Sequence, residues 1–128
     1  MRTPRALSAT LGAAALSIAA LVPTPTQAGT YDPGTAKAYA PVYNAVTGNW
    51  DYHCSYSGWR SGAVVTWKCE LVAILNDAVL RRNTGSWTPP PSSKTTATFH
   101  KPMILGEGAL CTRASALSVD GGDSQLRC

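Results

Sequence analysis

The sequence contains few of the side chains that carry out chemistry. Only two of its 128 residues are histidine, one is phenylalanine, and charged residues make up 14% of the chain. His53 and His100 stand in no spacing with other ligands that is typical of a catalytic metal site. No nucleophile, base and orienting group can be assembled from the remaining residues. The sequence therefore predicts a protein that is not an enzyme, with no catalytic residues, no metal and no cofactor.

No apolar run is long enough to span a bilayer, which takes about 20 residues. The longest run, from Leu7 to Val22, follows the basic residues Arg2 and Arg5 and is interrupted by polar residues. Residues 26–28 (Thr-Gln-Ala) then place small side chains at the positions that a signal peptidase reads. We predict that residues 1–28 are a cleaved secretory signal peptide, and that the mature protein is extracellular and not bound to a membrane.

The chain also has no large excess of either sign of charge. The whole chain carries a net charge of +4, but removal of Arg2 and Arg5 with the signal peptide leaves nine basic and seven acidic residues, a net charge of +2. Arg81-Arg82 is the only adjacent basic pair in the mature part, whereas phosphate binding requires several cations on one face. Nucleic acid is therefore not an expected partner.

Closely spaced cysteine pairs, which zinc sites use, are also missing. The four cysteines are separated by 15, 42 and 17 positions and all lie in the exported part of the chain, where disulfides persist. Cys54 lies seven residues before Ser61, and Cys69 lies seven residues after Gly62. A hairpin that turns at Ser61-Gly62 would place the two cysteines opposite each other, close enough for a disulfide.

The remaining pair fits a simple hairpin less well. A turn at Gly121-Gly122 leaves Cys111 and Cys128 four residues out of register, which a bulge or a loop centred nearer Val119-Asp120 would repair. The other pairings would break the Cys54–Cys69 bridge. We therefore predict the disulfides Cys54–Cys69 and Cys111–Cys128.

Strand patterns dominate the mature part of the chain. The clearest lies between Val64 and Ile74, where alternate residues form one inner face: Val65, Trp67, Cys69, Leu71 and Ala73. Further strands are expected at 42–46, 78–82, 94–100, 109–119 and 124–128, with a turn at 83–85. The predicted fold class is all-β, a small antiparallel β-sandwich or barrel with two disulfides. It occupies residues 50–128, after a loosely structured Tyr/Ala/Pro-rich arm at 29–49.

The most suggestive segment for binding is Gly58-Trp59-Arg60-Ser61-Gly62. Tryptophan and arginine are enriched at binding hot spots. On a hairpin tip above the Cys54–Cys69 bridge, Trp59 and Arg60 would both face solvent and form a rigid anchor. Tyr56 and Trp50 lie nearby in the sequence and are expected to contribute to the same surface.

Cys54, Trp59, Arg60 and Cys69, with the terminal Leu126-Arg127-Cys128, resemble the tendamistat-type α-amylase inhibitors. These are small secreted bacterial β-sandwich proteins with two disulfides that present a Trp-Arg-Tyr triplet inside the first disulfide loop. Ser61 stands in place of the tyrosine. More broadly, the chain is similar to small secreted bacterial β-sandwich proteins with disulfide bonds. The resemblance implies a scaffold and a presentation loop.

Two functions of different classes follow from these patterns. The first is a secreted monomeric binding protein, such as an inhibitor of an extracellular hydrolase, that presents Trp59 and Arg60. The alternative is a surface or matrix protein in which the Tyr-rich arm and the loop at 87–91 contact wall polysaccharide. Exposed aromatic residues would serve either function, so the expected partner is an extracellular protein or a polysaccharide.

Overall fold

The computed structural model of the protein describes residues 31–128, so the predicted signal peptide and its cleavage site lie outside the described residues. Pro33–Cys128 form one unit. The described residues contain no helix and ten strands: β1 (Thr35–Ala38), β2 (Val42–Asn44), β3 (Asn49–Tyr52), β4 (Cys54–Ser57), β5 (Val65–Ala73), β6 (Ala78–Trp87), β7 (Lys94–Thr95), β8 (Phe99–Pro102), β9 (Leu110–Ser118) and β10 (Gly121–Arg127). Each strand pairing is antiparallel. The predicted all-β, antiparallel class is confirmed.

The strands form three sheets that share one core. The large sheet has the order β10-β9-β5-β6, and the two small sheets have the orders β1-β4-β7 and β2-β3-β8. Only His53 separates β3 from β4, so one nearly continuous stretch of chain supplies the middle strand of both small sheets. Buried side chains from all three sheets meet in a single hydrophobic cluster. The small sheets therefore form one layer of a sandwich and the large sheet forms the other.

The interior strand β5 shows the predicted alternation. The five residues of the predicted inner face are buried, and Thr66 and Lys68 on the other face are exposed. Glu70 also lies on that outer face, yet it is buried. The guanidinium groups of Arg82 and Arg113 donate to its carboxylate at 2.5 and 2.9 Å. Burial acts to raise the pKa of Glu70, but the two arginines outweigh it and hold the pKa below its ordinary value.

Both predicted disulfides are present, and the described residues contain no free cysteine. The predicted hairpin at Ser61-Gly62 was wrong, however, because β4 and β5 belong to different sheets. The Cys54–Cys69 bond, with its Cα atoms 5.9 Å apart, joins a small sheet to the large sheet across the core. The pairing was therefore correct for a reason that the sequence did not show.

The second disulfide lies at the open end of a true hairpin. In the pairing of β9 with β10, Ser118 faces Gly121, so the turn is centred on Val119-Asp120. This is one of the two repairs considered for the register. The same pairing of β9 with β10 continues to the strand ends, where Arg127 faces Thr112 and the next pair is Cys111 and Cys128.

Strand β1 joins the two layers, because side chains of the large sheet accept hydrogen bonds from its backbone. On one side it pairs with β4. On the other side, the backbone N–H of Ala36 donates to Oδ2 of Asp123 at 2.8 Å, and that of Ala38 donates to Oε1 of Gln125 at 2.9 Å. Both acceptors lie on β10. The described part of the predicted loose arm therefore contains two ordered strands, β1 and β2, and β1 takes part in the core.

Other predicted boundaries also differ from the structure. The strand expected at 124–128 begins at Gly121 as β10. The turn expected at 83–85 is part of β6, which runs unbroken from Ala78 to Trp87. Gly85 is explained by packing, since a Cβ there would lie 2.7 Å from the ring of Trp67. The strand expected at 94–100 is divided into β7 and β8, because the chain passes there from one small sheet to the other.

Candidate functional site

The Trp59-Arg60 segment crosses between two sheets and does not form an exposed tip. Trp59 retains only 2% of its exposure, and its ring lies against Gly34, where a Cβ would be 2.5 Å from three ring atoms. The backbone N–H of Trp59 donates to the carbonyl of Ser92 at 3.2 Å, which ties the segment to the loop between β6 and β7. The expectation that Trp59 faces solvent was therefore wrong, because the hairpin that would have exposed it does not form.

Arg60 stays at the surface, but its guanidinium forms a bidentate ion pair. Nε and Nη2 of Arg60 donate to the two carboxylate oxygens of Asp120 at 2.8 and 3.0 Å. Asp120 is buried and lies in the turn between β9 and β10. Such fork-to-fork pairs fix geometry as well as contributing energy. Arg60 thus fastens the crossover to the large sheet.

Tyr56 is also a core residue. Its side chain is fully buried between the layers, and its hydroxyl donates to the backbone carbonyl of Lys68 at 2.6 Å. Burial, with a smaller contribution from the charge of Glu70, raises the pKa of Tyr56 far above its ordinary value. Trp50 is half-buried and is the one predicted binding residue with a ring that reaches a surface groove.

A further polar cluster lies between the two small strands β3 and β8. His100 and Asp51, which face each other across β8 and β3, form a hydrogen bond of 2.7 Å between Nδ1 and Oδ1. Asp51 also accepts a long hydrogen bond from Asn44 at 3.5 Å. Among the described residues, no group of three His, Cys, Asp or Glu side chains is placed to hold a metal ion.

Exposed aliphatic side chains gather at one end of the sandwich, which we call the apolar end. It consists of three connections: the β2–β3 turn, the β5–β6 turn and the β8–β9 loop. The N–H of Met103 donates to the carbonyl of Gly48 at 3.0 Å, and the N–H of Ile74 donates to the carbonyl of Ala109 at 3.1 Å. These two bonds place the β8–β9 loop between the other two connections.

Each of the three connections presents at least one strongly exposed aliphatic side chain. Val46 in the β2–β3 turn is 95% exposed, Leu75 in the β5–β6 turn is 86% exposed, and Leu105 in the β8–β9 loop is 88% exposed. Ile74, Met103 and Ile104 add further exposed apolar surface beside them. Several exposed apolar side chains on neighbouring connections are typical of an interaction site.

The β8–β9 loop is held in one shape by Glu107. One carboxylate oxygen of Glu107 accepts from the N–H of Ile104 at 3.1 Å, and the other accepts from the ammonium of Lys101, which is itself buried. Burial acts to raise the pKa of Glu107, but these two hydrogen bonds and the Lys101 charge outweigh it, so the pKa lies below its ordinary value. The exposed residues of the loop are therefore carried on a braced turn.

A groove of about 260 Å³ opens beneath this loop. One wall is made by Tyr43 and Trp50, which face each other across β2 and β3 with their ring centroids 5.5 Å apart. The other wall is made by residues 103–108. Trp50 packs against the core on its inner side, so the groove is a continuation of the core that reaches the surface.

The sequence analysis singled out Trp50, beside the groove, but missed the apolar end. The available signals were Ile74-Leu75 directly before the Asn76-Asp77 turn, and Met103-Ile104-Leu105 directly before Gly106. Several apolar residues in a row next to turn residues are unusual unless they are buried or functional. Their meeting at one end depends on strand registers that the sequence does not display.

Over the described range, no helical segment has the length and apolarity needed to cross a bilayer. Comparisons of the chain with protein-family models, with curated proteins and with solved structures gave no match.

Proposed function

We propose that this protein is a secreted binding protein that docks on an extracellular partner protein, such as a hydrolase, through its apolar end. The observation that carries the proposal is the convergence of Val46, Leu75 and Leu105 from three separate connections. Burying these side chains desolvates no charged group of this protein and stabilises a complex by about 25 cal/mol per Å² of apolar surface, before the cost of association is subtracted.

The braced loop supports this role. An interaction surface that is ordered before binding loses less conformational entropy when the complex forms. The hydrogen bonds of Glu107 to Ile104 and Lys101 order the β8–β9 loop in the free protein. The sequence analysis expected Trp59 and Arg60 to form the binding surface. The apolar end takes that role in this proposal, since Trp59 is buried and Arg60 is paired with Asp120.

The polysaccharide alternative has less support in the structure. Sugar binding relies on exposed aromatic faces together with hydrogen-bonding groups, and its two candidates were the Tyr-rich arm and the loop at 87–91. In the arm, the exposed ring of Tyr43 packs against Trp50. The ring of Trp87 instead lies beside Tyr56, and its Nε1 donates to the carbonyl of Pro91 at 2.9 Å. The exposed side chains of the apolar end are aliphatic, which favours a protein partner.

The test uses the mature protein and a triple variant, Val46→Ser, Leu75→Ser and Leu105→Ser. Immobilised protein is incubated with a panel of purified extracellular hydrolases and, separately, with insoluble wall polysaccharide, and bound material and residual hydrolase activity are measured. We expect the wild type to bind a hydrolase and the triple variant to lose at least about 30-fold in affinity, since hot-spot truncations cost about 2 kcal/mol or more.

A matched control comes from the opposite end of the large sheet, where three other aliphatic residues are exposed: Val64, Leu117 and Val119. The corresponding triple serine variant removes similar apolar surface and should bind as the wild type does. Equal weakening by both variants, or binding of the wild type to polysaccharide alone, would contradict the proposal.

A further inference from the structure

The groove beneath the β8–β9 loop has the features of a receptor for one side chain. We propose, building on the function above, that it takes a single uncharged aromatic or leucine side chain that the partner protein inserts between Trp50 and the loop. The exposed tips of the apolar end would then surround this central contact. The groove is the specific part of the surface, and the tips exclude water around it.

The size of the groove fits one such side chain. An enclosed apolar cavity of about 150 Å³ holds a benzene molecule, and this open groove measures about 260 Å³. The groove is therefore large enough for a phenyl, indole or isobutyl group. The tilted pair of Tyr43 and Trp50 offers aromatic surface to it, and aromatic rings prefer tilted or offset contacts over face-to-face stacking.

The electrostatics of the groove select a neutral group. Glu107 is the only charged residue among those lining it, and its carboxylate is occupied by Lys101 and by the N–H of Ile104. A charged side chain that entered would lose its hydration without gaining a partner, which is costly. The lining and the proposed occupant are thus complementary, since both are apolar and uncharged.

The floor and the rim of the groove are both fixed before binding. Trp50 packs against the core, and the contacts of Glu107 with Lys101 and with the N–H of Ile104 hold the loop. Met103 is the lining residue that is best suited to substitution, because its side chain is 37% exposed and its N–H, not its side chain, ties the loop to Gly48.

The experiment follows the amide signals of Gly106 and Gly108 and the indole signal of Trp50 by NMR while N-acetyl-phenylalaninamide or N-acetyl-leucinamide is added. We expect these signals to shift and to saturate with a Kd on the order of 1 mM, the strength expected of a fragment of about 15 non-hydrogen atoms. The α-amide of N-acetyl-aspartic acid, whose side-chain carboxylate is charged, is the control and should shift none of them. Equal shifts with the charged probe, or no shift with either apolar probe, would overturn the proposal.

Two variants separate this site from the wider surface. Met103→Asp places a charge in the groove and should abolish the probe shifts and weaken the hydrolase complex at least about tenfold, whereas Met103→Leu should preserve both. Leu117→Asp, on the exposed face of the large sheet, should change neither. If the complex requires Val46, Leu75 and Leu105 but tolerates Met103→Asp, the docking function stands and the side-chain receptor is refuted.

Other occupants of the groove give distinct results. If zwitterionic phosphatidylcholine vesicles shift the three signals more strongly than the amino-acid amides do, the groove takes a lipid chain. If the signals shift with protein concentration alone and sedimentation shows a dimer, the occupant is a second copy of the chain. Either result would overturn the assignment to a partner protein's side chain.

Discussion

The contact between Trp59 and Gly34 offers a direct test of how the crossover is held. Trp59→Ala deletes a fully buried indole, and large aromatic deletions in a core cost about 3 to 5 kcal/mol. For a domain of about 100 residues, each kcal/mol lowers the melting temperature by about 4 to 8 °C. We therefore expect the melting temperature of the mature protein to fall by at least about 12 °C.

Gly34→Ala perturbs the same contact by changing the residue that faces Trp59. The added Cβ would lie 2.5 Å from three atoms of the Trp59 ring, well inside van der Waals distance. Overpacking of this kind typically costs about 1 to 3 kcal/mol. In the Trp59→Ala background the ring is gone, so Gly34→Ala should cost much less. A double-mutant cycle should therefore show strong coupling between the two positions.

A third variant refines the expected magnitude. Nε1 of Trp59 is buried with no hydrogen-bond acceptor, and a buried unpaired donor is unfavourable. Trp59→Phe removes that group and keeps most of the ring, so it should cost less than Trp59→Ala. Val64→Ala at an exposed position serves as the control and should change stability by less than about 0.5 kcal/mol. If Trp59→Ala melts within a few degrees of the wild type, our account of the crossover is wrong.

Two further predictions concern the disulfides and the braced loop. Unreduced protein should take up no alkylating reagent, as measured by intact mass. Reduction should lower the melting temperature markedly, since each bridge typically contributes about 2 to 4 kcal/mol. An unchanged melting curve after reduction would show that the core is stable without the disulfides. Glu107→Gln should speed hydrogen exchange at the N–H of Ile104 and leave β5 amides unchanged. Because the pKa of Glu107 is lower in the folded protein, its stabilisation is present above the ordinary glutamate pKa and is lost as the pH falls through the lowered value; loop exchange independent of pH in that range would contradict this.

The sequence predicted local features better than it predicted how distant segments meet. The inner face of β5 follows from the alternation of its residues between Val65 and Ala73, a pattern that depends only on the geometry of one strand. The Cys111–Cys128 bridge could likewise be approached by counting along a hairpin. Trp59 was misplaced because β4 and β5 follow each other in the chain, and adjacent strands were assumed to pair.

The candidate site shows the same limit more sharply. Trp50 could be singled out as an aromatic residue, but the apolar end joins connections near positions 46, 75 and 104, which no sequence spacing relates. Their meeting depends on the pairing of β3 with β8 and of β5 with β9. The Glu107–Lys101 brace was also hidden, since six positions of separation across a loop have no characteristic pattern.

The side-chain closure of β1 also limits how this sheet edge can pair with another molecule. A sheet edge with free N–H groups can pair with a strand of another molecule. On β1 the donors at Ala36 and Ala38 are occupied by Asp123 and Gln125, so this edge cannot recruit a neighbour by backbone pairing. The carboxylate of Asp123 and the amide of Gln125 thus occupy the donors that a strand of another molecule would need at this edge.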